Sequence, residues 1–177
     1  VTRTKSDAPH PRWSCSSTSS SSQWAPPPRN CWHRPRSRPS AARYGMRIGY
    51  HNHFAEFREV FGGRRAYDIL LGELDRAVVV ELDTYWAKVG GTDPTKVLAS
   101  LGKRVEFIHI KDGPGKGMDD FMVPYGTGVI DVPGVVCANP AVKWNLVEMD
   151  RSHYDMFWLL GNCYDYLIGR GLATGRR

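Results

Sequence analysis

From Gly45 onward the chain alternates between two kinds of apolar pattern. Residues 46–51, 78–82, 105–109 and 142–147 form short runs rich in β-branched and aromatic side chains, the mark of strands covered on both faces. Between these runs apolar residues return at helical spacing. Tyr67, Leu70, Leu71 and Leu74 fall at i, i+3, i+4 and i+7 and predict a helix over 64–74. Asp93 and Pro94 supply an N-cap and a first-turn proline for a helix reaching Leu101. Asp131, with Pro133 in the first turn, caps a short helix reaching Ala138. A last helix over 154–168 is expected to bury Phe157, Leu160, Tyr164 and Leu167 and to end at Gly169 or Gly171.

Four strands, each followed by a helix, predict right-handed βαβ units and a parallel sheet. The first strand-to-helix loop lacks the GxGxxG phosphate fingerprint, which argues against a dinucleotide-binding domain. The remaining option is the (β/α)8 barrel, which needs eight strands and ~250 residues. The chain has 177 residues and the pattern supplies four strands, so the body from residue 45 reads as half a barrel. Its fold class is α/β, a partial (β/α)8 TIM barrel of four strand–helix units.

Composition separates the first 44 residues from this body. They contain no Leu, Ile, Met, Phe or Glu, and are rich in Ser, Pro and Arg. With almost nothing to bury, they cannot repay an ordering cost of ~1–2 kcal/mol per residue, and a disordered tail is expected. They hold eight of the 24 Lys and Arg residues but only Asp7 of the 18 acids, which leaves sixteen bases and seventeen acids for the body. The net charge of +6 is therefore a property of the tail. Arg34, Arg36 and Arg38 beside Trp32 and His33 could contact phosphates and stack on bases. A body without net basicity makes no nucleic-acid partner the expectation. The tail also has the composition of a shifted reading frame of GC-rich DNA, and the first Met is Met46, where globular pattern begins. Mean hydropathy is −0.42 and no apolar run approaches the ~20 residues of a membrane span, so no membrane partner is expected. Cys15, Cys31, Cys137 and Cys163 form no CxxC pair or disulfide framework, which points to a reducing cytoplasm.

Each strand ends on residues able to bind a metal or move a proton. The first ends at His51-Asn52-His53, with Glu56 three residues later; the second at Asp83; the third at His109, followed by Lys111 and Asp112; the fourth at Glu148, followed by Asp150. Singly, each has a plainer reading: an Asp after a strand caps a helix, Glu81 is a solvated or paired residue facing a helix, and Gly126-Thr127-Gly128 is a tight turn. Recurrence at the same place in four successive units favours chemistry, because the carboxyl ends of parallel barrel strands converge on one rim. One imidazole and two carboxylates from adjacent strands suit Mn²⁺, Mg²⁺, Co²⁺ or Zn²⁺.

The runs GYHNHFAEF (49–57), ELDTYWAKVGGTDP (81–94), RVEFIHIKDG (104–113), YGTGVIDVPGVV (125–136) and WNLVEMDRS (144–152) resemble the sugar phosphate isomerase/epimerase family of the xylose-isomerase-like TIM-barrel superfamily. The resemblance spans residues 45 to about 172 and corresponds to the carboxy-terminal half of that barrel. It implies that Asp83, His109 and Glu148 match three of four metal ligands. At the fourth, where many members carry Glu-Asn-His, this chain has His51-Asn52-His53. Either His51 is the fourth ligand, or Glu56 reaches the site from the loop, and Glu56 stands with Glu148 among the catalytic candidates. His53 and Lys111 become candidates for substrate hydroxyls or a bound oxyanion, and Glu148 for the base. The implied reaction is proton abstraction α to the carbonyl of a small sugar or sugar phosphate, through an enediolate stabilised by the divalent metal. Dehydration of a keto-inositol or elimination from a 3-keto-glycoside starts in the same way. A sheet with two open edges and an uncovered interior carries the further expectation of self-association.

Overall fold

The computed structural model describes residues 41–175, in which four of the six strands belong to a repeated strand–helix pattern. In chain order these are β1 (Gly49–His51), α1 (Ala55–Arg58), β2 (Val60–Phe61), β3 (Arg64–Arg65), α2 (Ala66–Glu73), β4 (Val79–Asp83), α3 (Thr84–Val89), α4 (Pro94–Leu101), β5 (Val105–Ile110), α5 (Val132–Cys137), β6 (Trp144–Val147) and α6 (Met156–Gly169). The expectation of a disordered tail falls on residues outside the described ones, apart from 41–44. Strands β1, β4, β5 and β6 form a parallel sheet in that order, the sequential order of a partial TIM barrel, while β2 and β3 pair as a separate antiparallel hairpin. No described helix is long and apolar enough to cross a membrane.

The helix signals act as read. Asp93 accepts from the Thr95 amide at 3.0 Å with Pro94 in the first turn, and Asp131 accepts from the Gly134 amide at 3.1 Å. The core lies between the outer face of the sheet and the helices. Val80, Leu82, Val105, Ile108 and Ile110 pack there with Val97, Leu98 and Leu101 of α4, Val132 and Val135 of α5, and Leu159, Cys163 and Leu167 of α6. Burying each Leu or Ile side chain contributes about 1.5–3 kcal/mol.

Helix α6 departs from its expected face. It buries Leu159, Cys163 and Leu167, whereas Leu160 and Tyr164 are half-buried and Phe157 is 86% exposed. The helix carries two apolar stripes, and periodicity alone does not say which one meets the sheet. The outer stripe, Phe157, Trp158, Leu160 and Tyr164, lines an open groove beside Val147 at the β6 edge. The interior face of the sheet is likewise open, with Trp144 61% exposed and Leu146 also exposed.

Pairing between β4 and β5 slips by one residue. Val80 pairs with Val105, but Glu81 pairs with Phe107, leaving Glu106 without a partner on β4. The slip lets Val105 and Ile108 both face the helices although three residues apart, and turns Phe107 and His109 to the interior. Glu106 is clamped from both sides: Arg47 donates to its two oxygens at 2.6 and 2.8 Å and Lys143 at 2.9 Å. These donated hydrogen bonds hold its carboxyl down at about 2.

The loop from β5 to α5 is ordered around one carboxylate. Asp112 accepts from the amides of Gly113, Gly126, Gly128 and Ile130 at 2.9–3.0 Å, so Gly126-Thr127-Gly128 is a turn that wraps an aspartate. A Cβ on Gly128 would lie 2.2 Å from Asp112 Oδ1, and Gly126 sits at φ +82°, so both positions need glycine.

Two outcomes follow. Asp112→Ala strands four amide donors and should cost about 3 kcal/mol or more in urea unfolding, with Asp112→Asn intermediate. For Glu106, the folded carboxyl lies below its ordinary value of 4.5, so its stabilisation is complete above about pH 4.5 and lost as pH falls towards 2. The stability difference between wild type and Glu106→Gln should therefore be constant at neutral pH and shrink over that acid window.

Candidate metal and acid–base site

The carboxyl ends of β1, β4, β5 and β6 bring His51, Asp83, His109 and Glu148 to one rim of the sheet. Strand parity explains why. Glu81 and Asp83 share the interior face of β4, and Phe107 and His109 share that of β5, with Asp83 directly opposite His109.

Asp83 is fully buried and serves two ends. Its Oδ1 accepts from the Trp86 amide at 2.8 Å and caps α3, so the plain helix-cap reading is true of this oxygen. Its Oδ2 points into the rim, 3.9 Å from His51 Nε2 and 3.9 Å from His109 Nδ1. Asn52 secures the backbone here by accepting from the Asp83 amide at 3.0 Å and donating to its carbonyl at 3.2 Å. Thr84 adds a hydroxyl bond to the His109 carbonyl at 2.9 Å, tying the ends of β4 and β5 together.

His51, Asp83 and His109 each offer a ligand atom, all within 4.8 Å of one another, and the two imidazole rings lie 4.5 Å apart. Glu148 joins this group through His109 Nδ1, which it contacts directly. Lys111 is 1% exposed, with its ammonium 2.8 Å from Asp83 and 3.1 Å from both Glu148 and Asp150. Its charge also lies 5.3 Å from the ring centre of buried Trp86.

Electrostatics reflects this crowding. Burial raises the Asp83 carboxyl, and the Lys111 charge only partly offsets it. Burial alone would lower Lys111, but Asp83, Glu148 and Asp150 outweigh it and the ammonium is held protonated. The hydrogen bond from His109 holds the Glu148 carboxyl down at about 2. Burial and the neighbouring His109 ring lower His51, which favours a neutral imidazole with a free lone pair.

His51 Nδ1 is a buried atom without a hydrogen-bond partner, and the rim-facing Asp83 Oδ2, His109 Nδ1 and Glu148 Oε2 meet one another and the Lys111 ammonium. These are two imidazole nitrogens and two carboxylate oxygens, a donor set that fits a divalent cation.

The remaining candidates lie apart from this group. His53 is exposed at the rim, with its ring 5.1 Å from that of His51. Glu56 accepts from the Tyr50 hydroxyl at 2.5 Å and from the His53 amide at 3.1 Å, which binds its carboxylate to the start of α1. Sequence reasoning missed Glu81: it faces the interior and contacts His109 Nε2. Its spacing of two from Asp83 was the available signal, since alternate residues of a strand share a face.

No protein-family model matches the chain, and no curated protein sequence does. Among solved structures, two sugar phosphate isomerase/epimerases from Parabacteroides distasonis superpose with a TM-score of 0.65, at 24% and 23% identity. Each match covers 78% of this chain, but 52% and 50% of the other. A xylose isomerase domain protein from Alicyclobacillus acidocaldarius superposes with a TM-score of 0.52 at 19% identity, over 79% of this chain and 57% of its own. The chain thus spans about half the length of these structures. Likeness at this level establishes the fold alone, a partial TIM barrel.

Proposed function

We propose that the chain supplies the carboxy-terminal half of a divalent-metal-dependent sugar or sugar phosphate isomerase/epimerase. The observation that carries this reading is the convergence of His51, Asp83, His109 and Glu148 at the carboxyl rim of adjacent parallel strands, two imidazoles and two carboxylates facing one another. His51, Asp83, His109 and Glu148 would hold the ion. When bound, a Mn²⁺, Mg²⁺, Co²⁺ or Zn²⁺ ion supplies Lewis-acid stabilisation of the charge that develops when a sugar loses a proton α to its carbonyl.

The residues around the ion divide the remaining work. Glu148 is the base: its part-exposed side chain contacts His109 of the group and stands within reach of a sugar entering from the open side. Lys111 is too buried to meet substrate directly, and it acts by holding Asp83 and Glu148 in place. His53 and Trp86 flank the entry, His53 offering a ring nitrogen to a hydroxyl and Trp86 an apolar wall, their rings 6.5 Å apart. Glu56 keeps a supporting part, fixing the β1–α1 turn that carries His51 and His53. Free Cys137 and Cys163 are consistent with a cytoplasmic setting.

The test is metal content followed by proton exchange. Purified chain should bind one Mn²⁺ or Zn²⁺, and His109→Ala should lose it; unchanged content in the variant overturns the site. A panel of ketoses, ketose phosphates, keto-inositols and 3-keto-glycosides in deuterated water should show exchange at the carbon next to the carbonyl of one class. Glu148→Gln should reduce that exchange by about 10²–10⁴-fold.

The reading extends to assembly. The edges of β1 and β6 are unpaired among the described residues, and Phe107, Trp144 and Leu146 lie on an uncovered face. We propose that a second copy covers this face. Light scattering after size-exclusion chromatography should give at least twice the monomer mass, and a monodisperse monomer across the micromolar range overturns the proposal.

A further inference from the structure

We propose that Glu81 is a positioning residue that sets which nitrogen of His109 faces the metal site. This inference rests on the metal reading above and concerns a residue to which that reading gives no role.

The two ring nitrogens of His109 meet different surroundings. Nε2 contacts the Glu81 carboxylate, whereas Nδ1 faces Asp83 Oδ2 at 3.9 Å and contacts Glu148. A neutral imidazole carries one proton, so the nitrogen that donates leaves the other with a lone pair. Glu81 accepts at Nε2 and thereby leaves Nδ1 as the ligand atom. In keeping with this, Nδ1 lies toward Asp83 and Glu148, both members of the candidate ligand set, and Nε2 toward Glu81, which is not.

Glu81 is placed for this part by backbone geometry. The slip between Val80 and Glu81 sets Glu81 opposite Phe107 and Asp83 opposite His109. The two carboxylates of β4 therefore address opposite nitrogens of one ring, the deeper from Glu81 and the rim side from Asp83. Glu81 stands outside the group of candidate ligands. Among the described residues its side chain has no ion-pair partner other than His109. An imidazole whose second N–H is held by a carboxylate is oriented and made a stronger donor, and loss of such a partner typically costs 10–100-fold in metal affinity.

The experiment uses Zn²⁺ as a diamagnetic probe on the full chain. Zinc affinity is measured by competition with a chelator, and the His109 ring nitrogens are assigned by ¹⁵N NMR of the zinc-loaded protein. In wild type, Nε2 should carry the proton and Nδ1 the metal. Glu81→Met removes the acceptor at similar volume and should weaken zinc binding 10–100-fold at unchanged stoichiometry, with loss of the protected Nε2–H signal. Glu81→Gln keeps an acceptor and should restore the signal and most of the affinity. The proposal is overturned by zinc on Nε2 in wild type, by affinity in Glu81→Met within twofold of wild type, or by loss of stoichiometry as complete as in His109→Ala, which would make Glu81 a ligand. If Glu81→Met does not fold, the wild-type ring assignment and the Glu81→Gln affinity decide. Wild type that takes up no zinc overturns the metal reading itself, an outcome separate from failure of the Glu81 role alone.

Discussion

The one-residue slip between β4 and β5 is the constraint on which the site depends. In a parallel ladder every residue has a fixed face, so a shift of one residue exchanges core and interior along the rest of the strand. Without the slip, Val80 and Val105 would still pair, but Asp83 would lie beside Ile108 and the His109 ring would turn toward the helices. With it, Ile108 and Ile110 bury and His109 meets Asp83. The extra residue, Glu106, is the one gripped by Arg47 and Lys143, from the segments leading into β1 and β6. A three-way ion pair at the entry end of the sheet thus fixes geometry at the exit end, several residues along the strands.

At the exit end the problem is charge. Asp83, Glu148 and Asp150 converge, and Asp83 is fully removed from water. Like charges in such surroundings raise one another's proton affinity unless a cation lies among them. Lys111 is that cation within the chain, and its position two residues after His109 puts it on the same strand face as the ring. One ammonium is shared among three carboxylates, and His51 Nδ1 remains a buried atom without a hydrogen-bond partner. Lys111 and a divalent ion are complementary in this respect: the lysine balances carboxylate charge from just past the end of β5, while imidazole lone pairs suit only a cation that accepts electron pairs.

Much of this was legible in the chain, and the exceptions have physical causes. The Asp93-Pro94 helix was found at its true bounds because capping chemistry is local. The four strands and their polar ends were found because short extended runs, each closing on polar residues, alternate with apolar residues at helical spacing. The β2–β3 hairpin was not, although Gly62 and Gly63 at φ +56° and +76° form its turn, since two-residue strands leave no alternation to detect. Helix α6 was rotated in the reading because both of its stripes are apolar, and only the neighbouring sheet selects between them. Glu81 was read as helix-facing because the slip that governs its face lies in pairing with another strand, which no single strand's pattern records.

The two faces of the sheet therefore have different requirements. The outer core is built from contacts between each strand and the helix that follows it, with no strand beyond β6 needed to bury Leu82, Ile108 or Leu159. The rim group is also internal to the sheet, since His51, Asp83 and His109 come from three consecutive strands whose spacing the ladder fixes. The interior below the rim is different: Phe107, Trp144 and Leu146 meet no opposing strand among the described residues. The fold and the candidate donor set are thus properties four strand–helix units can hold by themselves. Under the proposed function, excluding water from a sugar is not such a property, because it requires the barrel to be closed across that face. Closing the barrel would change the dielectric around Glu148 and the access to His53 while leaving the donor set in place, so assembly would act on the chemistry rather than on the ion.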